Sequence, residues 1–117
     1  MKSIPPRERL ICALDVPDAA AARRMVETLG DTVTFYKLGL ELMTAGGYHE
    51  LLDWLIGRGN KVFADLKFFD IPATVAGAVR GLNGRGVTYQ SMPARGYFSA
   101  CAAAASPSSS ARSRNCL

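Results

Sequence analysis

Four short apolar runs at a nearly regular spacing constrain the fold of this chain more than any other feature. They are predicted to be strands at Leu10–Asp15, Thr34–Leu38, Val62–Lys67 and Val87–Ser91. Successive runs begin 24 to 28 residues apart, which matches the length of a strand and a crossover helix. The spacing therefore predicts a parallel sheet in which a helix joins each strand to the next.

The segments between these runs have the caps and the apolar spacing of helices. Asp18 is a suitable N-cap for a helix over Ala19–Leu29. A second helix is predicted over Tyr48–Ile56, and a third runs from Pro72, which suits a first helical turn, to about Gly84. The residues expected on the buried faces are Ala20, Met25, Val26, Leu29, Leu51, Leu52, Leu55, Ile56, Val75, Val79 and Leu82. Strands that alternate with helices place the chain in the α/β class.

Composition describes one modest domain with an unusual end. The chain has 117 residues, 49% of them hydrophobic, and is too short for a complete (β/α)8 barrel of about 250 residues. Residues 1–91 contain 11 Lys and Arg against 10 Asp and Glu, so Arg95, Arg112 and Arg114 supply most of the net charge of +4. The basic residues form no cluster with interleaved aromatic residues, so no nucleic-acid partner is expected.

Neither the apolar runs nor the cysteines indicate an exported or membrane-bound protein. No run approaches the roughly 18 apolar residues of a membrane span, and residues 1–9 lack the apolar stretch of a signal peptide. Cys12 is interpreted as a small buried side chain, and Cys101 and Cys116 have no metal-ligand spacing. We therefore expect a cytoplasmic protein without a membrane partner or a disulfide framework.

The sequence changes character after about residue 91. Residues 92–117 contain only Leu117 among Val, Ile and Leu, and they are rich in Ser, Ala and Arg. Such a segment cannot bury enough apolar surface to offset the entropy of ordering it, so we expect it to be irregular or disordered. Two interpretations stay open: a Ser/Ala-rich linker, or a shifted reading frame, which the abrupt change within a βα unit favours. The chain thus divides into residues 1–91 and 92–117.

Charged residues mark the carboxyl ends of the first three predicted strands. They are Asp15, Lys37, and the pair Asp65 and Lys67, with Asp70 close behind. Alternation along a strand would place Asp65 and Lys67 on one face, at the end of the sheet where ligands bind in parallel α/β folds. A simple ion pair is the alternative. Several charges among apolar neighbours are costly unless they are paired, however, and such clusters occur at functional sites.

The string DLKFFDIP at residues 65–72 resembles the D-x-K-x-x-D signature of the orotidine 5'-phosphate decarboxylase superfamily. Further similarity lies in LDVP at 14–17, FYKLG at 35–39 and Thr74, so the resemblance covers residues 9 to about 89. It implies the first three to four βα units of a (β/α)8 TIM barrel. It also implies a cofactor-independent, metal-free decarboxylase that converts orotidine 5'-phosphate to uridine 5'-phosphate in pyrimidine biosynthesis.

The resemblance also implies the catalytic residues. Lys67 corresponds to the lysine that protonates C6 of the pyrimidine as carbon dioxide leaves, and Asp65 to the carboxylate that holds this lysine beside the substrate carboxylate. Asp70 is similar to an aspartate that reaches into the neighbouring site of a homodimer. Lys37 resembles a lysine of the same charge network.

The substrate-binding residues follow from the same resemblance. Asp15 corresponds to a ribose-binding aspartate, Lys37 lies near the ribose, and Thr74 corresponds to a residue that binds substrate across the dimer interface. Lys37 also separates this family from the related sugar-phosphate decarboxylases, which usually have an acidic residue there and use magnesium.

The chain departs from the family pattern after the fourth strand. Family members continue there into a histidine-containing stretch and four further βα units, including the loops after strands seven and eight that bind phosphate. Because binding of the remote phosphate organises the reacting centre, we expect little or no decarboxylase activity from this chain alone. A non-catalytic interaction fragment and a related sugar-phosphate decarboxylase stay as alternatives.

Overall fold

The computed structural model describes residues 3–67 and 72–91 as a four-stranded parallel sheet with helices between the strands. The strands lie in the order β1-β2-β3-β4. They are β1 Cys12–Ala13, β2 Phe35–Gly39, β3 Lys61–Asp65 and β4 Tyr89–Gln90. The α/β fold predicted from the spacing of the apolar runs is confirmed. The predicted tail of residues 92–117 lies outside the described residues.

Four α-helices connect and cover the strands. They are α1 Ala19–Leu29, α2 Leu40–Ala45, α3 Tyr48–Gly57 and α4 Pro72–Gly84, with short 3-10 turns at Pro6–Glu8 and Gly30–Thr32. The predicted bounds of α1 and α4 are confirmed, and α2 has no counterpart among the predicted helices. Asp18 caps α1, because its Oδ1 accepts a hydrogen bond of 2.7 Å from the backbone N–H of Ala21. Gly46 and Gly47, both at positive φ, separate α2 from α3.

Three of the four strands are shorter than predicted, whereas β2 has the predicted length and begins one residue later. In β1 only two residues pair with β2, and in β4 only two residues pair with β3. The third strand begins one residue before the predicted run and ends at Asp65 rather than at Lys67. Lys67 has a φ of 47°, in the left-handed region, so it cannot continue the extended conformation.

The core lies between the helices and one face of the sheet. Alternate strand residues such as Tyr36, Leu38 and Val62 are fully buried there. They belong to one cluster with Leu14, Ala22, Val26, Leu51, Leu52, Leu55 and Ala64. The buried residues predicted for α4 are confirmed, as are the three leucines of α3, while Ile56 is only half-buried.

The predicted buried face of α1 is partly wrong. Ala20 and Met25 are exposed, and Ala22 is buried together with Val26 instead. These two residues are four apart and therefore lie one turn above each other on the same face. No described helix is long and apolar enough to cross a membrane.

The second face of the sheet, away from this core, carries polar groups at the carboxyl end of the strands. Along β3, the half-buried residues Phe63 and Asp65 alternate with fully buried Val62 and Ala64. The parallel register places Lys37 beside Phe63. Lys37 and Asp65 therefore project from the same face of neighbouring strands.

Candidate active site

The carboxylate of Asp65 lies between two ammonium groups at the carboxyl end of β3. The Nζ of Lys67 is 2.6 Å from its Oδ1, and the Nζ of Lys37 is 3.7 Å from its Oδ2. Each oxygen of the carboxylate therefore contacts a different lysine. We call Lys37, Asp65 and Lys67 the charge cluster.

The members of the charge cluster differ in their access to solvent. The side chain of Asp65 is 15% exposed, that of Lys37 28% and that of Lys67 67%. The carboxylate is thus shielded, whereas the ammonium of Lys67 is held on one side and open on the other. This arrangement leaves Lys67 available to a ligand.

Opposing effects act on the pKa of Asp65. Burial is the largest single effect and raises it. Hydrogen bonds from Lys67 and Ser91, together with the positive charges of Lys67 and Lys37, outweigh burial and hold the pKa below its ordinary value of 3.8. With Asp65 ionised at neutral pH, the three described members of the charge cluster hold two ammoniums against one carboxylate, a local excess of positive charge. Such an excess favours an anionic ligand.

The backbone of Lys67 adopts a conformation that residues other than glycine seldom adopt, with φ at 47°. Its N–H donates a hydrogen bond of 3.0 Å to the Oγ of Ser91, which follows β4. Ser91 was not predicted to belong to the site. It comes directly after β4, beside the strand that carries Asp65, and only the register between these strands brings it to the site.

Tyr48 of α3 supports β2 from the core side. Its hydroxyl donates a hydrogen bond of 3.3 Å to the carbonyl oxygen of Leu38, the residue after Lys37. Burial, and after it the negative charge of Asp65, raise the pKa of the Tyr48 phenol, so it stays a neutral donor. Sequence reasoning did not identify this residue either.

The other predicted site residues lie around the charge cluster or outside the described residues. Asp15 follows β1 and is exposed, and a Cβ added at Gly39 would lie 3.8 Å from its Oδ1, so Asp15 borders the end of β2. Thr74 is exposed in the first turn of α4. Asp70 lies outside the described residues. Within residues 3–67 and 72–91, no group of three His, Cys, Asp or Glu side chains is placed to hold a metal ion.

Comparison of the sequence with known families gives a match to the Orotidine 5'-phosphate decarboxylase / HUMPS family over residues 8–114. The chain belongs to this family. The match extends past residue 89, where the resemblance recognised in the sequence ends. The orotidine 5'-phosphate decarboxylase of Methylococcus capsulatus is 54% identical over 88 residues, which are 75% of this chain and 36% of that relative. The chain therefore spans about a third of the length of the curated relatives it matches.

Solved structures agree with this assignment. The crystal structure of orotidine 5'-phosphate decarboxylase from Lactobacillus acidophilus has a TM-score of 0.73 at 32% identity, over 84% of this chain and 44% of that one. The 3-keto-L-gulonate-6-phosphate decarboxylase of Vibrio cholerae has a TM-score of 0.67 over 84% of this chain and 45% of that one, and at 19% identity it shows the fold alone. Both are TIM-barrel decarboxylases, so the described sheet is part of that fold. The predicted family and fold class are confirmed.

Proposed function

We propose that this chain supplies the first part of an orotidine 5'-phosphate decarboxylase site, which in a complete barrel converts orotidine 5'-phosphate to uridine 5'-phosphate and carbon dioxide. The observation that carries the proposal is the charge cluster, formed by two neighbouring strands and the turn after the second, in a chain of this family. Its excess positive charge suits a substrate that carries a carboxylate and a phosphate.

Lys67 performs the proton transfer in this proposal. The bond between C6 and the carboxylate breaks, its electron pair stays on C6, and carbon dioxide leaves. The Nζ of Lys67 then donates a proton to C6 and recovers one from water. A fixed ammonium stabilises the charge that develops on C6 more than it stabilises the ground state, and this difference accelerates the reaction.

Asp65 and Lys37 hold Lys67 in place for this step. The carboxylate of Asp65 contacts the Nζ of Lys67 at 2.6 Å and fixes its position. Lys37, on the other oxygen of the same carboxylate, favours the ionised form of Asp65. The pair therefore does not neutralise itself by transferring its proton from Lys67 to Asp65.

The remaining assignments are supported by resemblance and by position. Asp15 and Lys37 bind the ribose, and the exposure of Asp15 beside Gly39 is consistent with contact to a ligand. Asp70 and Thr74 contribute across the interface of a homodimer, and Thr74 is exposed as this role requires. A cytoplasmic location, a nucleotide substrate and independence from cofactors belong to the same proposal.

The experiment that tests the proposal completes the barrel. Residues 8–91 of this chain replace the matching segment of the Methylococcus capsulatus relative, and turnover of orotidine 5'-phosphate is followed by ultraviolet absorbance. We expect decarboxylation by the chimera and none by this chain alone, because phosphate binding uses later parts of such barrels.

Substrate choice provides the control. The chimera is also given 3-keto-L-gulonate 6-phosphate with magnesium, the substrate class of the related sugar-phosphate enzymes, and no turnover is expected. A chimera with the circular dichroism of a folded α/β protein but no activity toward orotidine 5'-phosphate would contradict the proposal. Activity toward the sugar phosphate alone would support the alternative family member.

A further inference from the structure

We infer that Ser91 is a positioning residue for the charge cluster: its hydroxyl accepts a hydrogen bond from the N–H of Lys67 and its backbone N–H donates one to the carbonyl oxygen of Ala64, so it fixes the end of β3 and the turn that follows against β4. Its part in catalysis rests on the proposed function. Its part in holding the charge cluster is measurable without substrate.

The chemistry of the hydroxyl suits this position. An ionised carboxylate only accepts hydrogen bonds and a backbone N–H only donates them, whereas a hydroxyl does both at once. Ser91 accepts from the N–H of Lys67 at 3.0 Å, which leaves its own hydrogen free, and the hydroxyl lowers the pKa of Asp65. The serine is 8% exposed, so water does not readily replace it.

Ser91 is itself held in place by its backbone. Its backbone N–H donates a hydrogen bond of 3.0 Å to the carbonyl oxygen of Ala64, the residue before Asp65. The hydroxyl and the backbone of one residue therefore contact β3 and the turn that follows it. Any displacement of Ser91 would move Asp65 and Lys67 together.

The conformation of Lys67 requires such a contact. A left-handed φ at a lysine persists only where the surroundings determine it. The hydrogen bond from the N–H of Lys67 to Ser91 is a contact of this kind. Ser91 thus sets the point from which the ammonium of Lys67 reaches Asp65.

The test is a nuclear magnetic resonance titration of the full chain, with Asp65 followed through its carboxyl carbon and Lys67 through its amide hydrogen exchange. Ser91→Ala is expected to raise the pKa of Asp65 and to accelerate exchange at Lys67. Ser91→Thr, which keeps the hydroxyl, is expected to restore both values. Lys37 and Lys67, whose charges lower the pKa of Asp65, and Tyr48, whose pKa responds to Asp65, are unchanged in every variant.

Thr88→Val is the matched control. Thr88 directly precedes β4, and its Oγ1 accepts a hydrogen bond of 3.3 Å from the N–H of Val62 in β3. Its loss removes a comparable contact away from the charge cluster, so the pKa of Asp65 should not move. An unchanged pKa and unchanged exchange in folded Ser91→Ala overturn the inference, as does an equal effect of Thr88→Val. If Ser91→Ala does not fold, Ser91→Cys keeps the shape with a weaker hydrogen bond. The pKa of Asp65 and the exchange at Lys67 in that variant then test the inference in the same way.

Activity of the chimera separates this inference from the proposed function. In an active chimera, Ser91→Ala should lower kcat about 10-fold or more with a smaller change in KM, as the loss of a hydrogen bond to a charged group implies. An inactive chimera with the expected titration in this chain refutes the function and leaves the positioning role supported. An active chimera in which Ser91→Ala changes neither kcat nor the titration refutes the positioning role alone.

Discussion

Two lysine–carboxylate pairs of the same length lie at opposite ends of β3. At the amino end, the Nζ of Lys61 is 2.6 Å from the Oε2 of Glu8, and at the carboxyl end the Nζ of Lys67 is 2.6 Å from the Oδ1 of Asp65. In the described part of the chain, only the second pair contacts further side chains. Lys37 of β2 lies near Asp65, and the hydroxyl of Ser91 accepts a hydrogen bond from the N–H of Lys67. Convergence of several strands, rather than the length of one contact, therefore distinguishes the candidate site.

The two pairs also differ in the exposure of their carboxylates, because Glu8 is 28% exposed and Asp65 15%. Lys61 and Glu8 are 42% and 28% exposed and join the sheet to the 3-10 turn near the amino terminus. Water screens such a pair, and it contributes little to stability. At the carboxyl end two like charges are held near one shielded carboxylate, an arrangement that stability alone does not require.

Replacement of the two lysines should give the largest difference between the ends of β3. In the chimera, Lys67→Met is expected to lower kcat by about 10⁴-fold or more, because it removes both the proposed proton donor and its charge. Lys61→Met should change kcat by less than about 3-fold, since an exposed pair contributes about 0–1 kcal/mol. Steady-state kinetics on both variants measures this, and equal losses would remove the distinction between the two pairs.

The core side of β4 contains a buried polar side chain, Gln90, whose contribution to stability can be compared with that of the charged pairs. Gln90 is 1% exposed, and its Nε2 donates a hydrogen bond of 2.7 Å to Asn83, but its Oε1 has no partner among the described residues. Gln90→Leu should raise the free energy of unfolding by about 1–2 kcal/mol, because it removes an unpaired buried oxygen.

Urea denaturation of the full chain measures this gain. Gln90→Glu is the control of matched shape, and it should destabilise the fold because it buries a charge. A loss of stability in Gln90→Leu would mean that the bond to Asn83 outweighs the unpaired oxygen.

The pH dependence of the free energy of unfolding should differ between the pairs at the two ends of β3, and we expect this difference to be smaller. Because the pKa of Asp65 in the folded chain is below its ordinary value of 3.8, the ionised form stabilises the fold above that value. This contribution is lost as the pH falls through the lower pKa of the folded state. Asp65→Asn should therefore flatten the acid side of the stability profile, measured by urea denaturation between neutral pH and about pH 3.

Glu8→Gln is the matched control for that profile and gives the smallest expected effect. It should lower the free energy of unfolding by less than about 1 kcal/mol at neutral pH. Added salt should reduce this difference, because screening weakens exposed pairs. A loss well above this limit would show that the amino-end pair, too, belongs to a larger network.

Local signals in the sequence were sufficient for much of the fold. Asp18 predicts the start of α1, and the interval between apolar runs predicts the parallel order, because caps and crossover lengths depend on short stretches of chain. The buried face of α1 was predicted less well, with Met25 exposed and Ala22 buried. In a helix that begins with four alanines, several faces fit the same apolar spacing.

The contact between Asp65 and Lys67 shows where sequence reasoning reaches its limit. Alternation along a strand predicted that the two side chains share a face, yet β3 ends at Asp65 and Lys67 has left-handed backbone. The two groups meet through a turn, not through strand geometry. Ser91 could not be found from pattern alone, because its role depends on the register between two strands and on that turn.

The sheet order has a consequence for how the chain is made. Each described strand lies beside the one that precedes it in the sequence. During synthesis, the neighbour of each new strand has therefore already left the ribosome. Only the short loop of one helical crossover must close at each step, which keeps the entropic cost of assembly low. The charge cluster, which joins β2 to β3, can form as soon as the third strand and the turn after it have emerged. Ser91 is synthesised later, and its hydrogen bond to Lys67 then stabilises the cluster.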